Sequence, residues 1–190
     1  MSSPFAKRVA GNAEDQYDKY HLQHEHDPQL AKQIQKYWTD LGFNFPGVNT
    51  PWSAVFVSWC IETAGATTSD FKFAAVHSRF VNWAIKNALN QTGSFRAYEI
   101  TAYAPSVGDI IHNNRGGNTF DYNYAKTHSS YESHSAIVIE TGHDSNGNYL
   151  LTVGGNEGDS VGKKLVRLTA QGLVKQRPNS PYFCVIQNLM

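Results

Sequence analysis

Helix-period patterns crowd the first half of this chain and strand-period patterns the second. This order predicts an α+β fold, a helical N-terminal half packed on an antiparallel sheet of roughly five or six strands. Two observations sharpen it. Leu30, Ile34, Tyr37, Trp38 and Leu41 recur at helical spacing, as do Trp52, Val55, Phe56 and Trp59. Asn146-Gly147, set between two apolar runs, is a strong hairpin signal. At 190 residues the chain is long enough to bury a core as one domain.

The elements follow in order. Residues 5–22 read as a polar, weakly amphipathic helix, and residues 1–29 as an N-terminal helical extension to a main domain over residues 30–190. His21 to Pro28 is a turn with a local excess of histidine. The helix through Leu30 ends at Gly42, and a loop over 44–49 leads to the next one. There Thr50 is the expected N-cap, Pro51 suits the first helical position, and Gly65 closes the helix. Residues 73–89 predict a further helix with Val76, Phe80, Trp83, Ala84 and Ala88 inward. Residues 98–103 read as a short extended segment. Pro105 to Asp109 is a turn, and Ile110 opens a strand. Residues 113–133 are long, polar and aromatic, as in a functional loop or a mobile lid. Strands are expected over 135–140, 149–153, 164–168 and 182–187.

Composition excludes several functions. Sixteen basic and sixteen acidic residues cancel, so neither nucleic acid nor an anionic membrane is expected as a partner. No apolar run reaches the ~18 residues of a transmembrane helix. The first residues lack the apolar core of a secretory signal. Two cysteines, Cys60 and Cys184, make no disulfide framework and suit a reduced compartment at synthesis.

The chemistry centres on Thr50-Pro51-Trp52-Ser53-Ala54-Val55-Phe56-Val57-Ser58-Trp59-Cys60. A small polar residue at the first turn of an apolar helix sits where unpaired N–H groups and the positive end of the helix dipole converge. Cys60 lies seven residues on, about 10 Å along the helix. It reads as a core cysteine, and so does Cys184. His21, His24, Glu25 and His26 match no metal-binding spacing, and no metal or other cofactor is expected.

The segment resembles the nucleophile helix of the CHAP and NlpC-like cell-wall amidases, which reads Pro-Trp-Cys-Ala-x-Phe-Val-x-Trp. Pro51, Trp52, Ala54, Phe56, Val57 and Trp59 match, but Ser53 stands where that family has cysteine. Gly108-Asp109-Ile110, Ser133-His134-Ser135-Ala136-Ile137-Val138 and Gly154-Gly155-Asn156 follow in the family's order, so the resemblance covers roughly residues 30–188. The chain looks closest to a branch that carries Trp-Ser-Ala at this helix.

The resemblance implies a papain-like domain that hydrolyses peptidoglycan stem-peptide amides without a cofactor. Ser53 is then the nucleophile, His134 the base and Asn156 the residue that orients it. Trp52, His77, Asp109 and Arg115 are the candidate substrate-binding residues, although His77 also suits a structural role and Asp109 a turn anchor. With no signal peptide, the expectation is synthesis in a bacterial cytoplasm and action in the periplasm or cell wall after non-classical export. An antibacterial effector with an immunity protein as partner, or a phage-type lysin, fits that expectation.

Ser for Cys is not a neutral change. A thiol with pKa ~8.5 is partly ionised at neutral pH, whereas a serine needs concerted proton removal. Three readings stay open for Ser53: a working nucleophile, an inactive site retained as a peptide or glycan pocket, or an introduced replacement of cysteine. A further alternative is glycan cleavage by carboxylates such as Glu25, Asp109 or Glu157.

Overall fold

The computed structural model describes residues 2–190. Four helices come first: α1 Pro4–Tyr20, α2 Pro28–Thr39, α3 Ser53–Thr63 and α4 His77–Asn90. Strands β1 Phe95–Tyr98 and β2 Ile110–Asn114 follow, then helix α5 Tyr122–Thr127. The chain ends with β3 Ser133–Asp144, β4 Gly147–Gly154, β5 Gly162–Arg167 and β6 Tyr182–Asn188. The six strands form one antiparallel sheet in the order β1-β6-β2-β3-β4-β5. The N-terminal helices pack on it, so the α+β architecture expected from the element order is the one observed.

Helix α3 runs through the middle of the domain. Ala54, Val55, Phe56, Val57, Cys60 and Ile61 are all buried, on every side of the helix. A helix that is apolar all round belongs inside a core, and α3 lies between α1, α2 and the β3–β4 face of the sheet. It begins later than its N-terminal sequence predicts. Trp52 is the flanking residue, so Thr50 and Pro51 stay in the loop and Ser53 is the first helical residue. The Trp52 ring is buried and stacks on Tyr37, and this tertiary anchor overrides the local capping signal.

Helix α4 also starts late, at His77 rather than Phe73. Ser58 explains the shift. Its hydroxyl donates to the Ala74 carbonyl and accepts from the Ala74 N–H, both at 3.1 Å, which draws that backbone away from a helical ladder. Val76, expected inward, is therefore exposed just before the helix, while Phe80 and Ala84 are buried as expected.

Helix α1 packs into the common core: Phe5, Val9, Ala10 and Ala13 share it with α3 and the sheet. The turn at Gly108 lies against α1 so closely that a Cβ there would sit 2.5 Å from the Ala6 carbonyl oxygen. The β3–β4 hairpin pairs Asp144 with Gly147, so its two loop residues are Ser145 and Asn146, with Gly147 following at φ 102°. Asp144 Oδ1 accepts the Asn146 N–H at 2.8 Å and holds the turn.

The long segment between β2 and β3 is pinned to the domain. It holds α5, capped by Asp121, whose side chain accepts the Tyr124 N–H. Asn82 Nδ2 of α4 donates to the Ala125 and Lys126 carbonyls at 2.9 and 3.0 Å. Among the described residues no helix is long and apolar enough to cross a membrane.

Candidate functional site

The first residues of two buried helices meet at the site. Ser53 opens α3 and His77 opens α4, and Ser53 Oγ lies 2.7 Å from His77 Nε2. Ser53 is 3 % exposed and His77 5 %. Both line a cavity of about 600 Å³ with Thr50, Pro51, Arg115 and Tyr131, among others. At the first helical position the Ser53 N–H has no intrahelical partner, and the positive end of the helix faces the cavity.

His77 is held neutral. Burial is the main cause of its strongly depressed pKa, and the nearby His134, His112 and Arg115 add to it. In the tautomer that carries its proton on Nδ1, the neutral imidazole has a bare Nε2 placed to accept the Ser53 hydroxyl proton. The other ring nitrogen, Nδ1, is buried and has no hydrogen-bond partner in the protein among the described residues. His77 therefore carries no carboxylate of its own to steady an imidazolium.

That charge lies one ring away. His134, in β3, is 5.5 Å from His77 centroid to centroid, in an edge-to-face arrangement. Its Nε2 is 2.8 Å from Glu157 Oε1, and Glu157 Oε2 is 2.8 Å from Lys164 Nζ. Burial alone would raise the Glu157 pKa. The hydrogen bond to His134 and the charges of His134 and Lys164 outweigh it and hold Glu157 below its ordinary value. Gly154 makes room for the pair, since a Cβ there would lie 2.6 Å from Glu157 Oε1 and 2.9 Å from His134 Nε2. A third histidine, His112, stands 6.2 Å from His77 and bonds Ser135 Oγ at 2.7 Å. Burial lowers its pKa to about 3, so it too is neutral.

The expected constellation is thus rearranged. The residue on His134 is Glu157, not Asn156. Asn156 adopts a left-handed conformation at φ 55°, which turns the chain so that the next side chain points back at His134. Its own Nδ2 reaches Glu25 Oε2 at 3.5 Å. The group in contact with Ser53 is His77, assigned from the sequence only as a residue flanking the cleft. The adjacent acid at 157 was the available signal for the first change. The second carried no signal, because nothing local in the sequence aims residue 77 at residue 53.

Of the candidate substrate-binding residues, His77 and Arg115 line the cavity and Trp52 and Asp109 do not. The Trp52 indole is in the core and donates to Glu25 Oε2 at 3.0 Å. Asp109 is buried at the base of β2. It accepts from the N–H groups of Ser106 and Asn188 and from the Tyr103 hydroxyl, at 2.7, 2.8 and 3.0 Å. Its role is to anchor the turn. Burial raises its pKa to about 6 despite those donors. A carboxyl with a raised folded-state pKa contributes stability fully below its unfolded value of ~3.9 and loses it as pH rises through about 6. Its ¹³C carboxyl resonance is expected to titrate near pH 6, and a midpoint near 4 would contradict the burial account.

Glu25, Asp109 and Glu157 all lie off the cavity wall, which leaves no carboxylate pair facing across it. Cys60 and Cys184 are buried and free, and burial pushes both thiols up, so neither supplies a thiolate. Among the described residues no three His, Cys, Asp or Glu converge as metal ligands. In the histidine-rich turn His24 stacks on His26, while His21 stacks on Tyr17.

A family model matches residues 16–186, nearly the whole chain, and its description is "Uncharacterized protein conserved in bacteria (DUF2272)". The chain belongs to the DUF2272 family. No curated protein and no solved structure matches it. The matched span includes every residue of the site, from Glu25 through Ser53, His77 and His134 to Glu157.

Proposed function

We propose that this DUF2272 protein is a serine hydrolase of the papain-like type that cleaves stem-peptide amide bonds in peptidoglycan. The observation that carries the reading is the 2.7 Å contact between Ser53 Oγ and His77 Nε2 on the wall of the cavity. Ser53 attacks the amide carbonyl while His77 takes its proton and later returns it to the leaving amine. Glu157 fixes the His134 ring, which packs edge-to-face against His77 and holds it at Ser53. The Ser53 N–H at the helix terminus faces the developing oxyanion. Support for a cell-wall substrate comes from the resemblance to CHAP and NlpC-like amidases, whose motifs occur here in the same order.

The test is digestion of purified peptidoglycan, read by mass spectrometry, with the unaltered chain, Ser53→Ala and Ser53→Cys. Cleavage by the unaltered chain that disappears in Ser53→Ala is the expected result, and the product masses identify the bond. Cleavage by Ser53→Cys alone would assign an amidase site that lacks its thiol. Silence of all three would sink the hydrolase reading and leave a module that binds peptide or glycan.

A further inference from the structure

A second cleft of about 190 Å³ adjoins the 600 Å³ cavity at Arg115 and is lined by His134, Asn113, Glu157, Lys164 and Arg177, among others. Arg115 lines both. The catalytic elements therefore stand where two spaces adjoin, as they would if a chain-like substrate ran from one into the other.

The second cleft has an excess of positive charge. Lys164 is paired with Glu157, the one acid that lines it. Arg115 and Arg177 have no carboxylate within salt-bridge distance among the described residues. Arg177 is also held in place. Its guanidinium lies 4.1 Å over the Tyr182 ring, and its Nε donates to the Ser180 carbonyl at 3.0 Å. Those contacts leave its terminal N–H₂ groups free as a fixed fork, the geometry that binds a carboxylate through two parallel hydrogen bonds. Asn113 and Asn156 add amide groups to the same wall.

We infer that the substrate is a peptide with a free carboxylate close to the scissile bond, and that Arg115 and Arg177 hold this carboxylate in the second cleft. The inference rests on the hydrolase reading for the position of the bond, but not for the binding of the anion. It also gives Arg115 a second effect. Its positive field is one of the causes that depress the His77 pKa. A bound carboxylate screens that field and makes His77 a stronger base once the correct substrate is in place.

The test uses one peptidoglycan stem-peptide fragment in two forms, with free carboxylates and with the same groups converted to amides. Binding to the full-length Ser53→Ala chain is read by calorimetry, and cleavage by the unaltered chain by mass spectrometry. Loss of a charge-assisted hydrogen bond predicts about tenfold or more weaker binding of the amidated form. Arg115→Gln and Arg177→Gln are expected to weaken binding of the free-carboxylate form similarly and to leave the amidated form unchanged. Both arginines lie on the surface of the cleft, and Arg115→Lys restores part of the loss. Equal binding of the two forms, or binding of neither, overturns the inference. So does an equal loss on both forms in the arginine variants. Preferential binding without cleavage keeps the carboxylate site and removes the hydrolase reading, so the two failures are distinct.

Discussion

Replacing His77 with Gln is expected to lower kcat on peptidoglycan roughly 10²–10⁴-fold, the usual contribution of a positioned general base. Gln keeps a polar group near Ser53 but cannot accept and return a proton. The helix termini and cavity shape remain, so KM is expected to change far less than kcat. His134→Gln is the necessary comparison. Under the proposed mechanism His134 is a positioning residue, held by Glu157 and packed edge-to-face on His77 at 5.5 Å between ring centroids. Its loss is expected to lower kcat by less than that of His77 and to move the acidic limb of the pH–rate profile. The opposite order, with His134→Gln inactive and His77→Gln active, would assign proton transfer to His134 and a positioning role to His77. Steady-state kinetics of the two variants across pH settles the assignment.

Trp52→Ala is expected to give the largest loss of stability of any single change at the site. Truncating a fully buried Trp costs ~3–5 kcal/mol in lost burial and residual cavity. It also removes the indole N–H from Glu25 Oε2, leaving a buried carboxylate with poorer partners at a further cost of ~1–3 kcal/mol. The effects reach the candidate site because Gly155 packs on this ring, where a Cβ would lie 2.6 Å from Trp52 Cζ3. The loop bearing Asn156 and Glu157 follows immediately, and it is tied down again where the Glu25 N–H donates to the Asp159 carbonyl at 2.8 Å. Trp52→Phe separates the two parts, since it keeps most of the aromatic packing and removes only the donor. Urea unfolding should place Trp52→Phe clearly between the unaltered chain and Trp52→Ala. Equal stability of Trp52→Phe and the unaltered chain would show that the Glu25 contact contributes nothing.

Much of the fold was legible because its signals are local and periodic. The apolar stripe of α2, the run that makes α3 a central helix and the apolar strand runs after residue 130 each follow from the residues within one element. The errors lie where a distant group competes with the local signal. Trp52 docking on Tyr37 moves the start of α3 past Thr50 and Pro51. The Ser58 hydroxyl takes the backbone groups of Ala74 and shortens α4. The polar reading of residues 5–22 likewise passes over Phe5, Val9 and Ala13, which pack into the common core.

The sequence by itself determined the α+β class, the place of Ser53 at the start of a buried helix, and the presence of His134 near the start of a core strand. These follow from periodicity and order along the chain. Only the tertiary structure decided which groups meet: His77 on Ser53, Glu157 rather than Asn156 on His134, Trp52 and Asp109 as anchors rather than substrate contacts, and Arg115 between two clefts. The physical reason is that a hydrogen bond is fixed to a few tenths of an ångström by side-chain direction. A single left-handed residue such as Asn156 or a helix start moved by a few residues redirects that side chain, and the spacing of residues along a sequence does not record either event.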